Sequence, residues 1–223
     1  KAIVVRNGTR VDEDLLDAAP NLKVVARMGV GLDTIDVEAC KARGIEVCPS
    51  IGANAVSVAE YVIATAMVLL RGPTYFATPD VVAGAWDRPK FAGSTEIAGR
   101  VMGIVGFGSI GQVVGEKARG MGMEVIAYDA MMPDNHSAWE HARRVSLDDL
   151  VAEADVVSLH CPKLPETIDL IDKRQFARMK PEAVLINSAR GGIVNEADCA
   201  EALRSGQIAG AALDTLDIEP ITP

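Results

Sequence analysis

The stretch Val101-Met102-Gly103-Ile104-Val105-Gly106-Phe107-Gly108-Ser109-Ile110-Gly111 decides the fold. An apolar run from Val101 to Phe107 predicts a strand. The pattern from Ile110 to Met121 predicts a helix directly after it. The spacing is G-x-G-x-x-G, with each glycine in a distinct role. Gly106 permits a tight turn, and Gly108 puts no side chain in front of a phosphate. Gly111 lets the helix pack close to the sheet. The backbone N–H groups of Ser109 and Ile110 then stand at the positive end of that helix, where an anion is favoured. By itself such spacing also describes a merely tight strand-to-helix turn.

Context removes much of that ambiguity. A second strand, Glu124 to Asp129, ends in an acid 18 residues after Gly111. A carboxylate there accepts hydrogen bonds from ribose hydroxyls and repels an additional phosphate. The plain alternative is a solvated acid that caps the next turn. Strand, glycine turn, helix and acidic strand end together predict a dinucleotide site, for NAD and not NADP.

Outward from this motif the same alternation continues. Further strands are expected at Ala2 to Arg6, Val24 to Met28, Val156 to His160, Val184 to Ser188 and Ile208 to Leu213. Helical patterns occupy Asp12 to Ala19, Leu147 to Ala154 and Asn195 to Ser205. Near-continuous Val, Ile, Leu and Ala in the strands imply helices on both sheet faces. The fold class is therefore α/β, with a doubly wound parallel sheet. The stretch Asn54 to Leu70, which Asn54 can cap, is apolar almost all round and predicts a buried helix. It is either a core helix or one packed on a second domain or subunit. Residues 73–100 read as an irregular connection anchored by Trp86 and Phe91.

Length and composition bound the rest. The 223 residues amount to one and a half domains at about 150 residues each. The chain opens on Lys1 and stops at Ile221-Thr222-Pro223, just after a motif, which reads as an excerpt from a longer protein. Residues 1–50 form a short α/β piece, 51–217 a full doubly wound pattern, and 218–223 the start of a return segment. With 49% hydrophobic and 24% charged residues the chain is globular, not disordered. A net charge of −9 argues against general binding to nucleic acid or anionic membrane, while leaving room for a small anionic substrate in a local basic pocket. The longest apolar run, Tyr61 to Leu70, is far short of the ~20 residues of a membrane span. Cys40, Cys48, Cys161 and Cys199 form no C-x-x-C pair, which suggests reduced thiols, a cytoplasmic location and no metal site.

Ligands of a doubly wound sheet sit beyond the strands' carboxyl ends. The candidates there are His160-Cys161-Pro162, Ser188-Ala189-Arg190 and Asp214-Thr215. Arg190, followed by Gly191-Gly192, can grip a carboxylate or carbonyl bidentately; a lone arginine is otherwise a surface ion pair. Glu219 can polarise a general base or be a solvated loop acid. The turn Arg27-Met28-Gly29-Val30-Gly31 offers successive N–H groups to an anion, or is an ordinary β-to-α turn.

Together, Arg27–Gly31 with Leu32-Asp33-Thr34-Ile35-Asp36, Asn54 to Glu60, Gly106 to Gly111, Asn187 to Gly192 and Asp214 to Pro220 resemble the D-isomer-specific 2-hydroxyacid dehydrogenases, notably their phosphoglycerate dehydrogenase-like members. The resemblance covers essentially the whole chain. It implies a Rossmann NAD-binding domain, part of a flavodoxin-like substrate domain, and an active cleft between the two. It implies that Arg190 is the catalytic arginine and that Glu219 pairs with a catalytic histidine. Val30, Gly31 and Asn54 correspond to substrate-facing positions. Cys161, Ser188, Ala189 and Asp214 correspond to positions lining NAD, with His160 and Pro162 beside them. A homodimer or larger homo-oligomer is also implied.

One departure stands out. The family's histidine follows the Glu-Pro motif at some distance, usually after Thr-Pro. None of His136, His141 and His160 matches it. The expectation is a chain cut short of its proton-transfer residue, or one with a loop omitted between Pro220 and Ile221. The implied reaction is hydride exchange between NAD and a D-2-hydroxy acid, 3-phosphoglycerate first. Sulfolactate is a rival, and a generic 2-ketoacid reductase is a third. An NAD-sensing transcriptional corepressor is the alternative outside enzymes.

Overall fold

The computed structural model describes residues 1–6, 8–92 and 94–219. Two compact units emerge, residues 1–55 and the remainder from Val56. The first comprises β1 (Ala2–Val5), α1 (Glu13–Ala18), β2 (Val24–Arg27), α2 (Val37–Ala42) and β3 (Glu46–Pro49). Its strands lie in the order β1-β2-β3, all parallel. Val5, Leu16, Val25, Cys40 and Ile45 form its core. Both helices start on an aspartate: Asp12 accepts from the Leu15 N–H at 3.3 Å and Asp36 from the Ala39 N–H at 2.8 Å. Each bond satisfies a first-turn donor that the helix itself leaves unpaired.

The second unit begins with α3 (Ala55–Arg71), α4 (Thr78–Val82) and α5 (Arg88–Phe91). Then follow β4 (Val101–Val105), α6 (Ser109–Gly120), β5 (Glu124–Tyr128), β6 (Arg143–Arg144), α7 (Leu147–Glu153), β7 (Val156–Leu159), α8 (Lys173–Phe176), β8 (Val184–Asn187), α9 (Glu196–Arg204) and β9 (Gly210–Leu213). All pairings are parallel, in the order β6-β5-β4-β7-β8-β9. Side chains alternate across the sheet with period two. Met102, Ile104, Val156, Val184 and Ile186 pack with α3 and α6, through Ala59, Val62, Ala66, Val114 and Ala118. Val105, Val157, Leu159 and Leu185 face the other way, onto Leu150, Val151, Phe176 and Ala202. The chain leaves β4 in one direction toward β5 and later returns to its other side as β7. The connections on either side of β4 therefore diverge, and a crevice opens at the carboxyl edge.

Three expectations change. The stretch α3 is not buried all round. Ala59, Val62, Ala66 and Leu70 form a buried stripe, while Val56 and Tyr61 are exposed. Spacing of three and four residues puts only one face on the sheet. Asn54 makes no side-chain cap among the described residues; the Ala55 N–H already donates to the Gly52 carbonyl at 3.1 Å. Residues 73–100 contain α4 and α5, and Trp86 is no buried anchor: it is 70% exposed and packs edge-on against Phe91, with ring centroids 6.2 Å apart. Pro220 to Pro223 lie outside the described residues.

Candidate active site

The glycine turn after β4 is built as its spacing predicts. Gly106 has φ +89°, a conformation that L side chains rarely adopt. A Cβ there would stand 2.7 Å from the Cys161 N and the His160 carbonyl carbon. The turn thus lies directly against the end of β7, the neighbour across the switch point. A Cβ on Gly111 would collide with the Gly106 carbonyl, so only glycine brings α6 this close. Gly108 differs. Nothing lies within 4 Å of where its Cβ would be, so the space in front of the turn is open. Gly108 also adds no side-chain cap, leaving the first-turn N–H groups of α6, including Ser109 and Ile110, to an incoming anion.

Asp129 is tied into the same turn. Its Oδ2 accepts from the Phe107 N–H at 2.8 Å, and its Oδ1 from the Met131 and Met132 N–H groups at 2.9 and 3.0 Å. It caps its own turn, as the plain alternative has it, and braces the glycine turn as well. A carboxylate has about four acceptor positions. Three are used, and one is left for a hydroxyl.

Beyond β7, His160 and Ser158 share a hydrogen bond of 2.8 Å between Nε2 and Oγ. Burial lowers the His160 pKa from 6.5 to about 4, so the ring is neutral near pH 7. Burial likewise raises the Cys161 thiol to about 11, and the Asp129 carboxylate adds to the rise. Neither is poised for proton transfer at neutral pH. His136 caps a 3-10 turn by accepting from the Ala138 N–H at 3.1 Å, and His141 closes that turn. Pro162 is exposed, and its carbonyl accepts from Thr167 Oγ1 at 2.7 Å.

The segment after β8 is organised by Asn187, which is 1% exposed. Its Oδ1 accepts from the Ala189 N–H at 3.1 Å and its Nδ2 donates to the Arg190 carbonyl at 2.9 Å. One carboxamide therefore shapes the turn that carries Arg190. The Arg190 Nη1 donates to the Ala189 carbonyl at 2.6 Å. Next along the sheet, the Asp214 N–H donates to the Asn187 carbonyl at 2.9 Å, which places Asp214 beside Ser188. The hydroxyls of Ser188 and Thr215 are buried and have no hydrogen-bond partner among the described residues. Buried hydroxyls are rarely left so; two of them at one strand edge mark a place for a polar ligand.

Gly191 is required by the crossing of residues 216–217, since a Cβ on it would overlap the Leu216 carbonyl. That crossing segment is pinned twice: Lys163 Nζ donates to Asp217 Oδ1 at 2.9 Å, and the Asp217 N–H donates to Glu196 Oε1 at 2.7 Å. Glu219 is exposed and its Oε1 accepts from the Leu216 N–H at 2.8 Å. In the first unit, Val30 and Gly31 occupy the turn after β2, and Asn54 is exposed just before α3. The structure thus brings the dinucleotide residues, Ser188 to Arg190 and Asp214 to one sheet edge. Val30, Gly31 and Asn54 lie in the other unit.

Sequence reading named Thr215 as a strand-end candidate but missed Asn187 as a site residue. An asparagine at the last position of a strand predicted to be buried was the available signal for Asn187, because a buried carboxamide must find partners.

Residues 63–223 match the family model described as D-isomer specific 2-hydroxyacid dehydrogenase, NAD binding domain. The chain belongs to this family. It is 46% identical over 223 residues to the (S)-sulfolactate dehydrogenase of Chromohalobacter salexigens, covering all of this chain and 72% of that protein. It is 44% identical to the D-3-phosphoglycerate dehydrogenase of Mycobacterium leprae, covering 99% of this chain and 42% of that one. Among solved structures, D-lactate dehydrogenase with NAD+ from Lactobacillus jensenii matches with TM-score 0.83 at 32% identity, over 97% of this chain and 66% of that chain. NAD-dependent formate dehydrogenase from Staphylococcus aureus in complex with NAD matches with TM-score 0.81 at 33% identity, over 99% and 66%. The chain therefore spans about two fifths to seven tenths of these relatives' lengths. NAD is the cofactor of this family domain. The open space at Gly108, the uncapped α6 and the two unpartnered hydroxyls fit it. Among the described residues no cluster of side chains could hold a metal ion, and no helix is long and apolar enough to cross a membrane.

Proposed function

We propose that this chain serves an oxidoreductase that interconverts a D-2-hydroxy acid and its 2-keto acid. The observation that carries the reading is the Arg190 turn, held by Asn187 at the carboxyl edge of the strand next to β7. NAD, when bound, supplies the nicotinamide carbon that exchanges the hydride. Gly106, Gly108, Ser109, Ile110 and Gly111 hold its pyrophosphate, and Asp129 its adenosine ribose. Cys161, Pro162, Ser188, Ala189 and Asp214 line the remainder, beside His160.

Arg190 grips the substrate carboxylate and polarises its carbonyl oxygen as negative charge develops there. Val30, Gly31 and Asn54 contact the substrate from the first unit. Glu219 is assigned to the carboxylate that orients an acid/base histidine and favours its protonated form. His136, His141 and His160 are assigned no such role. In this reading residues 1–50 belong to a substrate domain, 51–217 to the NAD domain, and 218–223 to the return between them.

The substrate is assigned to 2-hydroxy acids with a second anionic group, 3-phosphoglycerate or sulfolactate. Similarity to named dehydrogenases of both kinds supports that class. Free cysteines favour the cytoplasm. A homodimer is favoured by Tyr75, Phe76, Val82 and Trp86, which are each more than half exposed within one stretch. Sedimentation showing only monomer would refute that point.

The central test is Arg190→Ala in the full-length protein. Loss of charge-assisted bonds to a reacting group predicts a fall in kcat/KM of roughly 10²–10³, with NADH affinity retained. Equal loss of turnover and NADH binding refutes the assigned role.

A further inference from the structure

Segments of the second unit leave the carboxyl ends of β7, β8 and β9, and one residue ties all three together. Asp217, beyond β9, accepts from Lys163 Nζ at 2.9 Å, and Lys163 lies in the segment that follows β7. The Asp217 N–H donates to Glu196 Oε1 at 2.7 Å, and Glu196 opens α9, the helix reached from β8. The first two segments are joined to each other as well. The Asp169 N–H donates to the Gly192 carbonyl at 2.9 Å, and the Ile171 N–H to the Ile193 carbonyl at 3.1 Å.

The middle segment carries Arg190, and the two glycines after it seat the crossing residues. A Cβ on Gly191 would stand 1.9 Å from the Leu216 carbonyl oxygen. A Cβ on Gly192 would stand 2.6 Å from Lys163 Nζ and 2.8 Å from Asp217 Oδ1. The ion pair therefore lies directly on the Arg190 turn. Asn187 grips that turn from the strand end, and residues 216–217 pack against the two residues that follow Arg190. The side chains of Lys163 and Asp217 are 37% and 56% exposed, and such an ion pair adds little to the stability of a fold. The strands beneath, β7 and β8, are buried throughout without it. What a pair at this place fixes is a loop, and an arginine that grips a reacting group works only within a narrow range of placement.

We propose that Lys163 is a positioning residue for Arg190. Through Asp217 it holds residues 216–217 on Gly191-Gly192 and so fixes the turn from which Arg190 reaches the substrate. The proposal rests on the dehydrogenase reading. In this role Lys163 touches neither substrate nor cofactor. The competing role, a direct contact of Lys163 with NAD, arises from its place next to Pro162, and the experiment separates the two.

The test uses full-length protein as wild type, Lys163→Met, Lys163→Arg, Asp217→Asn and a variant carrying both Lys163→Met and Asp217→Asn. Reduction of 3-phosphohydroxypyruvate, 3-sulfopyruvate and pyruvate by NADH is measured, with NADH binding by fluorescence and thermal melting alongside. Lys163→Met and Asp217→Asn are each expected to lower kcat about 3- to 5-fold on the acid that the wild type reduces fastest, the upper range for an exposed ion pair. The loss falls on kcat because polarisation of the carbonyl is felt in the transition state. The double variant should lose no more than either single one, since the pair acts as a unit. Lys163→Arg restores the pair and should keep kcat within about twofold of the wild type. NADH affinity should stay within about twofold and the melting temperature within about 2 °C, as for surface substitutions. Unchanged kcat, a change confined to KM, additive losses, a parallel fall in NADH affinity, or a Lys163→Arg protein as slow as Lys163→Met overturns the proposal. A wild type that reduces none of the acids overturns the dehydrogenase reading, and the role of Lys163 falls with it. An active wild type with unaffected variants overturns the role of Lys163 alone.

Discussion

Gly106 and Gly108 stand two residues apart in one motif, and the structure assigns them opposite failures. At Gly106, alanine must adopt φ +89°, which costs about 1–2 kcal/mol for an L residue. Its Cβ must also fit 2.7 Å from the Cys161 N and 2.8 Å from the His160 carbonyl oxygen, where ordinary contacts begin near 3.4 Å. Those atoms are backbone at the end of a central strand, so relief means moving the strand end. Overpacking of this kind costs about 1–3 kcal/mol. Together, Gly106→Ala should lose about 2–5 kcal/mol, or roughly 4–20 °C of melting temperature for a unit of this size. At Gly108, φ is −76° and no atom lies within 4 Å of the added methyl. Gly108→Ala should therefore melt within about 2 °C of the wild type. Its methyl, however, fills the open space proposed for the pyrophosphate. Holding a phosphate off the α6 N–H groups forfeits charge-assisted bonds of about 1.5–3 kcal/mol, so NADH affinity should fall about 10- to 100-fold. Calorimetric melting and NADH fluorescence titration read the two effects separately. A Gly108→Ala protein that binds NADH normally, or a Gly106→Ala protein that melts like the wild type, would refute the geometry.

Three further outcomes follow from buried polar groups. Asp155 is 7% exposed, accepts from the Val101 N–H at 2.7 Å, and faces Lys180 at 3.1 Å. Asp155→Ala should lower the melting temperature by about 3–12 °C, because a charge-assisted bond at the start of β4 is lost; a change under about 1 °C refutes this. His160 titrates near pH 4 when folded and 6.5 when unfolded, so the unfolded chain takes up the proton first. Its contribution is full above pH 6.5 and lost as pH falls toward 4, by at most about 3 kcal/mol because the residue is only partly enclosed. Urea unfolding of wild type and His160→Gln at pH 7 and 4.5 should show a shallower acid loss in the variant, and parallel losses count against a buried neutral ring. Finally, with its thiol raised to about 11, Cys161 should resist alkylation by iodoacetamide at pH 8, and labelling as fast as in a free thiol contradicts that burial.

The Rossmann-type unit was legible where local chemistry and tertiary demand agree. Its buried strands read as unbroken apolar runs because both faces are covered, and Gly106 and Gly111 are forced by sterics that any such turn shares. The elements that escaped are those in which pairing, not pattern, makes the structure. β6 is two exposed arginines that are a strand only because Arg143 pairs with Ile126. β3 contains Glu46 and Pro49 and is carried by its neighbour β2. α2 spans six residues, too short for a periodic signal. Gly103 shows the same limit, since nothing local marks it. A Cβ there would lie 2.7 Å from Leu150 and 2.8 Å from Ala154, because α7 packs directly on β4. In the site, the strand-end positions of Arg190 and Asp214 followed from the alternation of elements. The clamp by Asn187 and the bracing by Asp129 are relations between groups that a linear pattern does not contain.

The three backbone bonds of Asp129 have a consequence for how this domain could change. Its carboxylate is fixed before any cofactor arrives, so little side-chain freedom is lost when a ribose binds. The same bonds join nucleotide choice to backbone shape. Replacing Asp129 with a small neutral residue to admit a 2′-phosphate would release the Phe107 N–H and loosen the very turn proposed to hold the pyrophosphate. A swap of nucleotide preference in this protein is therefore a coupled redesign of two loops, and single substitutions at position 129 should yield weak binders of both nucleotides.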